Sequence, residues 1–407
     1  MGQLGLGHCQ NAITPTKIDN LTDIVHISAG GMHSGAINSS NKCYTWGCND
    51  YGQLGLAEAL RQTVDLDTED CTTKPPSPPP YQEGSMLSVN RDYPNWNRIV
   101  SSPKQVFILY GSSHSTIDTP TDDGDALADA SGIESERSLK PLLIKHLSCG
   151  GMHSGAIGVD GKVWTWGRAD NGQIGYSAKK LLALKSSMII GGTIVPTPYH
   201  VKFVEDGKSI SCGAFHTSII DNNGVAYTMG KDDFGMLGTS AVNIQSAGMD
   251  RPTVVDKLSG INIVDVTCGG WHTAFVSDSG GVYACGKGEY GRLGVDGEQS
   301  HRLPEKVDVT FAPISTPAPV PVPESSTSSN SAESPLIFSP NSEFSDRMSP
   351  ATPATPGNGT NTNTGTNTDT NTDGTEHIVK VSAGGSHSMF LTNKGNIYCC
   401  GRTDNGR

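Results

Sequence analysis

The 407 residues carry a formal net charge of −12, with 35% hydrophobic and 17% charged residues. No secretory h-region and no apolar run of about 18 residues occurs, which argues against export and against a membrane span. Residues 57–143 carry 14 acids and 7 bases and residues 312–376 carry 7 acids and 1 base, and no Lys/Arg cluster occurs elsewhere. This charge distribution predicts no direct binding to DNA.

A repeated phrase organises the chain. GGMHSGAI occurs at 30–37 and again, unchanged, at 150–157, and looser copies occur at 212–220, 268–276 and 383–391. Each copy contains one histidine: His33, His153, His216, His272 and His387. A glycine follows each histidine by 14 residues: Gly47, Gly167, Gly230, Gly286 and Gly401. Fixed spacing within a unit and variable spacing between units indicate a repeat architecture.

The unit at 144–175 predicts a series of short strands. One strand precedes the double glycine, HSGAIGV is a second, Asp160-Gly161 is a hairpin turn, and KVWTWG is a third. A fourth strand is marked by a Pro-x-x-Val or Pro-x-x-Ile signature, at 15–18, 103–106, 198–201, 252–255 and 304–307. Four antiparallel strands per unit form a propeller blade, so the predicted fold is an all-β propeller with five visible units.

The phrase GGMHSGAI…VWTWGRADNGQIG resembles the repeat of the regulator of chromosome condensation family, whose members form seven-bladed β-propellers. The likeness covers all five units. WD-repeat propellers also have four-stranded blades, but no Trp-Asp pair closes a unit here. The chain opens at MGQLGLG and closes at GRTDNGR, both of which match the end of a unit. The alternatives are therefore a five-unit ring or a fragment of a seven-bladed ring, and the cut termini favour the fragment.

The spacers between units differ in character, although residues 1–407 are predicted to form a single propeller domain. Residues 57–102 and 107–143 are acidic or proline-rich insertions, and 177–195 is a loop between blades. Residues 311–376 are low-complexity runs of Ser, Thr, Pro and Asn, too poor in apolar residues to bury a core, and are predicted to be disordered.

The five histidines admit three interpretations. A buried imidazole that bonds the backbone of a neighbouring blade would recur once per blade, as these do, and this is the favoured one. A metal ring would need several imidazoles at about 2 Å from one ion. A Ser-His nucleophile pair would need an orienting group and an oxyanion hole. A catalytic pair is needed once, so five copies favour structure, and we predict no catalytic residue, metal or cofactor.

One recurring feature is a candidate for binding. Each unit has an acid two residues before its middle glycine: Asp50, Asp170, Asp233, Glu289 and Asp404. These acids follow the third strand and are expected to lie on one face of the propeller. They either cap local backbone N–H groups or form an acidic ring facing a basic protein partner.

Five of the ten cysteines alternate with other apolar residues at repeat positions, namely Cys149, Cys212, Cys268, Cys285 and Cys400, and no paired C-x-x-C framework for zinc occurs. This pattern indicates core thiols in a reducing compartment, so the predicted location is the cytosol or the nucleus.

Two classes of function remain open. A rigid ring that presents loops to protein partners is the favoured one. The resemblance implies the alternative, a guanine-nucleotide exchange factor for a Ran-type or other small GTPase that acts through a protruding wedge. Residues 177–195 are the best wedge candidate, although a longer inter-blade loop packed on the ring explains them as well.

Overall fold

The computed structural model describes residues 1–56, 99–110, 138–176, 193–241, 248–309 and 375–404. One compact unit comprises Met1–Val309 with Glu376–Arg407 and contains all of the described strands. A second unit comprises Thr310–Thr375, of which only Thr375 belongs to the described part. The predicted loop at 177–195 and the predicted insertions at 57–102, 107–143 and 311–376 fall largely outside the described residues.

The prediction of an all-β propeller is confirmed. Its blades are antiparallel sheets in which strands follow one another in chain order. Blade 1 comprises β1 (Ile24–Ala29), β2 (His33–Asn38), β3 (Cys43–Cys48) and β4 (Ile99–Gln105). A separate hairpin of β5 (Phe107–Tyr110) and β6 (Ser138–Pro141) precedes blade 2, which comprises β7 (Ile144–Cys149), β8 (His153–Gly158), β9 (Val163–Arg168) and β10 (Ile194–His200).

The remaining blades repeat this order. Blade 3 comprises β11 (Gly207–Cys212), β12 (His216–Asp221), β13 (Ala226–Lys231) and β14 (Gly248–Val254). Blade 4 comprises β15 (Ile263–Cys268), β16 (His272–Ser277), β17 (Val282–Gly286) and β18 (His301–Val307). Blade 5 has three strands in the described residues, namely β19 (Ile378–Ala383), β20 (His387–Thr392) and β21 (Ile397–Gly401).

Hairpin geometry explains the turn residues. The residue at the tip between the second and third strands has left-handed φ, which is 83° at Gly161 and 75° at Gly224. Blade 1 has Asn41 at this position with a φ of 60°, and asparagine tolerates that region better than most non-glycine residues. The absence of glycine from this one turn therefore leaves the hairpin intact.

The fixed 14-residue spacing has a steric cause. In every blade the repeat histidine pairs across the sheet with the repeat glycine, for example His153 with Gly167. A Cβ on Gly167 would lie 2.7 Å from the His153 Cα and 2.8 Å from the Met152 carbonyl oxygen, and its φ is 108°. Only glycine permits this approach of the two backbones, so the two residues keep a constant register.

Neighbouring blades share hydrophobic cores. The first strands contact one another in the order β1, β7, β11, β15 and β19. The core between blades 1 and 2 contains Ile37 and Cys43 from one side and Ile144, Leu147 and Cys149 from the other. Equivalent cores lie at the next three junctions. The blades are thus stabilised by their contacts with one another, as expected for a repeat protein.

A hydrogen-bonded chain also crosses each junction. The repeat histidine's Nε2 lies 2.7–2.9 Å from a hydroxyl of the next blade, in the pairs His33–Ser154, His153–Thr217, His216–Thr273 and His272–Ser388. Each hydroxyl donates in turn to a loop carbonyl at 2.7–2.8 Å, those of Gln53, Gln173, Met236 and Arg292. The hydroxyl proton is thereby used, so Nε2 carries the proton and donates to the hydroxyl oxygen.

These hydrogen bonds refine the favoured interpretation of the histidines. The imidazole bonds a hydroxyl of the neighbouring blade and reaches the backbone only through that hydroxyl. This arrangement also differs from a Ser-His nucleophile pair, in which the hydroxyl donates to the imidazole. The hydroxyl that follows each histidine in sequence belongs to the preceding junction. Among the described residues no cluster of His, Cys, Asp or Glu suits a metal ion, and no helix is long and apolar enough to cross a membrane.

Candidate protein-interaction face

The loops after each third strand carry the predicted acids, and the structure pairs four of them with a base two residues earlier. The pairs are Arg168–Asp170 at 2.6 Å, Lys231–Asp233 at 2.7 Å, Lys287–Glu289 and Arg402–Asp404. Blade 1 has Cys48 where the other blades have a base, together with Asp50. The base-x-acid pattern recurs in the sequence at a fixed repeat position, and the predicted site residues included its acids but not its bases.

The Arg168–Asp170 pair shows the geometry most fully. Nε of Arg168 donates to both carboxylate oxygens of Asp170 at 2.8 and 2.9 Å, and Nη2 donates to Oδ2 at 2.6 Å. Burial disfavours the charged guanidinium, but the Asp170 carboxylate outweighs this effect and raises the pKa of Arg168. In blade 4 the hydrogen bond from Lys287 lowers the pKa of Glu289. Asp170 and Glu289 are therefore each matched by a local cation.

An aromatic residue directly follows the acid in three blades and contacts the base of the next blade. Arg168 lies 5.2 Å from the ring centroid of Tyr51, Lys287 lies 5.2 Å from that of Phe234, and Arg402 lies 4.9 Å from that of Tyr290. Such distances are within the range of cation–π attraction. Blade 2 has Asn171 instead, which donates to Asp170 at 2.8 Å.

Blades 3 and 4 add two further rings to this face. Phe215 and Trp271 each precede a repeat histidine, and their centroids are 5.3 Å apart. Phe234 meets Trp271 edge-on at 6.1 Å. Lys231 lies 5.5 Å from the centroid of Phe215 and 5.4 Å from that of Trp271. The aromatic patch, defined as Phe215, Phe234 and Trp271, thus joins two neighbouring blades.

The backbone of this face is strained at two aromatic residues. Phe234 and Tyr290 have φ values of 62° and 67°, in the left-handed region that residues with bulky side chains rarely adopt. Their side chains remain 49% and 40% exposed. Beneath Tyr290, Arg292 is only 2% exposed, and it donates to the carbonyl oxygens of Glu289 at 2.9 Å and Gly385 at 3.3 Å. The buried guanidinium fastens the blade 4 loop to blade 5.

The fold and the repeat geometry define a β-propeller repeat protein. The profile of the "Regulator of chromosome condensation (RCC1) repeat" matches residues 1–37, 40–77, 160–220, 223–276 and 279–324, and a second profile of the same repeat matches 24–53, 263–292 and 378–407. Since these matches cover more than half of the chain, it belongs to the regulator of chromosome condensation repeat family.

Curated relatives vary widely in length. The chain is 26% identical over 417 residues to the regulator of chromosome condensation of Xenopus laevis, with 97% of this chain and 88% of that protein covered. It is 29% identical over 291 residues to human probable E3 ubiquitin-protein ligase HERC3, which covers 71% of this chain and 20% of the ligase. It is 26% identical over 323 residues to human X-linked retinitis pigmentosa GTPase regulator, with 69% and 30% covered.

Among solved structures, human WBSCR16 superposes with a TM-score of 0.50 at 15% identity, covering 94% of this chain and 63% of that one. This likeness concerns the fold. The chain therefore spans most of the Xenopus protein and less than a third of the ligase and of the retinitis pigmentosa GTPase regulator.

Proposed function

We propose that this chain is a protein-interaction propeller whose partners bind at the loops after the third strands. The observation that supports this most directly is the row of exposed rings and cations on these loops. Aromatic residues and arginine are enriched at protein interfaces, and they supply much of the binding energy there. The ion pairs within each loop leave few unmatched charges, which favours a protein surface over a polyanion such as DNA.

The predicted acidic ring takes a more specific form in this proposal. Asp170, Asp233, Glu289 and Asp404 act together with their local bases rather than as an isolated negative field. Asp50 occupies the same position after the third strand of blade 1, where Cys48 replaces the base. Electrostatic complementarity of this kind sets specificity and orientation more than affinity.

Site-specific photo-cross-linking tests the proposal. A photoreactive phenylalanine is placed at Tyr290 and, as a matched control, at Phe203, an exposed aromatic residue outside these loops. We expect one or a few proteins to cross-link from Tyr290 alone, and to bind the purified full chain saturably. Equal labelling from both positions, or no saturable binding, would contradict the proposal.

Exchange of guanine nucleotide on a small GTPase is the second candidate. It is supported by the similarity to the Xenopus regulator of chromosome condensation along most of both chains, and by the similarity to a protein named as a GTPase regulator. Release of fluorescent GDP from Ran-, Rab- and Arf-type GTPases by catalytic amounts of the chain is the test. If one GTPase responds, deletion of 177–195 examines the predicted wedge, most of which lies outside the described residues.

We also propose that the protein is located in a reducing compartment of the cell. The cysteine pattern supports a reducing cytosolic or nuclear location, and fractionation of cells expressing the full chain tests it.

A further inference from the structure

Phe234 of the aromatic patch differs in its backbone from the equivalent residues of blades 1 and 2. The blade 3 loop KDDFGMLG places Phe234 at a φ of 62°, whereas Tyr51 and Asn171 at the same repeat position in blades 1 and 2 have negative φ. The left-handed conformation is therefore not imposed by the repeat. It is a local property of blades 3 and 4.

Burial does not account for the strain at Phe234. Side chains held in unfavourable backbone conformations usually persist because the surrounding structure gains something from them, and they cluster at functional sites. Phe234 is 49% exposed; its ring meets Trp271 edge-on, and the Lys287 ammonium lies 5.2 Å from its centroid. The strained backbone thus presents an aromatic ring to solvent.

The charges around the patch cancel. Lys231 pairs with Asp233 and Arg302 pairs with Asp232, both at 2.7 Å, and Lys287 pairs with Glu289. Each of these three pairs is neutral, and Arg292, which also lies 3.6 Å from Glu289, is only 2% exposed. A locally uncharged partner surface therefore matches this site, and the exposed Phe234 ring favours an apolar side chain at its centre.

We infer that the aromatic patch, Phe215, Phe234 and Trp271, is the contact site for a protein segment that packs an apolar side chain against the exposed Phe234 ring, beside Trp271. The flanking ion pairs form the polar rim, and Phe215 with the Lys231 ammonium supports Trp271 from behind. This inference rests on the proposed protein-binding function and assigns that function to blades 3 and 4.

The test uses the full chain and a random peptide library displayed on phage. We expect the selected peptides to share an apolar or aromatic anchor without an excess of charge. Their affinity is expected to fall by about tenfold or more in Phe234→Gly. It is expected to change little when ionic strength rises from about 0.05 to about 0.3 M, because a neutral contact is hardly screened.

The glycine variant separates binding from folding. Glycine adopts a φ of 62° without strain, so Phe234→Gly is expected to keep or raise the Tm while binding is lost. Phe203→Ala, which removes a ring that is 48% exposed outside the patch, is expected to leave peptide affinity unchanged.

The outcomes distinguish this inference from the function on which it rests. Peptides that bind Phe234→Gly as well as the unaltered chain, or that are basic and released by salt, would place the contact elsewhere and overturn the inference alone. A lower Tm in Phe234→Gly would assign the ring a structural role and overturn it as well. No selected peptide on a folded chain would count against both the protein-binding function and the patch.

Discussion

Blades 2, 3 and 4 are covered on both faces, whereas blades 1 and 5 each have one exposed face. Leu147 of blade 2 is 1% exposed and Ile27, at the same repeat position in blade 1, is 77% exposed. Ile397 of blade 5 is 64% exposed, against 2% for the equivalent Val282 of blade 4. Side chains at the same repeat position thus differ in burial, because each blade forms its core with its neighbours.

The largest expected effect is a loss of folding stability at acidic pH, caused by the histidines at the covered junctions. Burial lowers the pKa of His33, His153 and His272 to about 3 and that of His216 to about 4, from an ordinary value of 6.5. The unfolded chain binds protons below pH 6.5 while the folded chain does not, so stability falls as pH falls from 6.5 towards 4. At pH 5 the loss is on the order of 2 kcal/mol per histidine and about 8 kcal/mol for the four together.

Unfolding followed by tryptophan fluorescence at a series of pH values measures this loss. The slope should correspond to uptake of about five protons, because burial also lowers the pKa of His146 to about 4, and should fall by about one in His216→Gln. A stability that is constant between pH 6.5 and 4.5 would contradict buried neutral imidazoles.

Truncation at the two equivalent core positions tests the comparison most directly. Leu147→Ala should cost about 2–5 kcal/mol, because it leaves a cavity between blades 1 and 2. Ile27→Ala should cost less than about 1 kcal/mol, because the side chain is already in water. Urea denaturation of both variants gives the difference. Equal costs would mean that the Ile27 face is covered in solution.

Glycine substitutions in blades 2 and 5 sharpen the comparison between covered and exposed blades. The histidine–glycine contact lies within a blade, so its loss should not depend on the neighbouring blades. Gly167→Ala and Gly401→Ala should be destabilised by similar amounts, on the order of 2–3 kcal/mol, since an added Cβ meets the backbone of the paired histidine in both. Gly297→Ala is the control, with a φ of 84° and no atom within 4 Å of the added Cβ. Thermal unfolding ranks the three. A much smaller cost at Gly401 would show that blade 5 is loosely held.

The smallest effect is expected from the surface ion pairs. Removal of the Arg168–Asp170 pair by Asp170→Asn should cost about 1 kcal/mol, since both side chains are partly exposed, at 19% and 23%, and a pair in contact with solvent is screened by salt. Denaturation at low and high salt measures it. A larger, salt-independent loss would identify this pair as part of the fold's core rather than its surface.

Much of the architecture is visible in the sequence. The constant spacing of His153 and Gly167 predicted the repeat, and Asp160-Gly161 predicted the hairpin between the second and third strands, because both are constraints within one blade. The ion pairs and the left-handed Phe234 were not predicted. The ion pairs lie within single loops, and their bases stand two residues before the predicted acids. Tyr51 and Asn171 have negative φ at the position of Phe234, so the repeat position alone does not encode the left-handed backbone.

The repeated sequence GGMHSGAI also shows that one unit alone does not determine burial. GGMHSGAI is identical in blades 1 and 2, but β8 is buried at every position whereas β2 is partly exposed at Ser34 and Asn38. The acids were correctly placed after the third strands, and their cations were visible two residues earlier. Their stacking on Tyr51, Phe234 and Tyr290 joins different blades and required coordinates.

The loop carbonyl that receives the junction hydroxyl has a counterpart at the start of the chain. Gln3 accepts hydrogen bonds from Ser34 Oγ and Trp46 Nε1 at 2.9 Å, as Gln53 does from Ser154 and Trp166 at 2.8 Å. Every link in the series therefore runs in the same direction, from the loop of one blade to the second and third strands of the next. A one-directional series with only nearest-neighbour links behaves thermodynamically as a line. Damage at one junction should separate the chain into two shorter stretches of intact blades, and the melting of each should then depend on the number of junctions it retains.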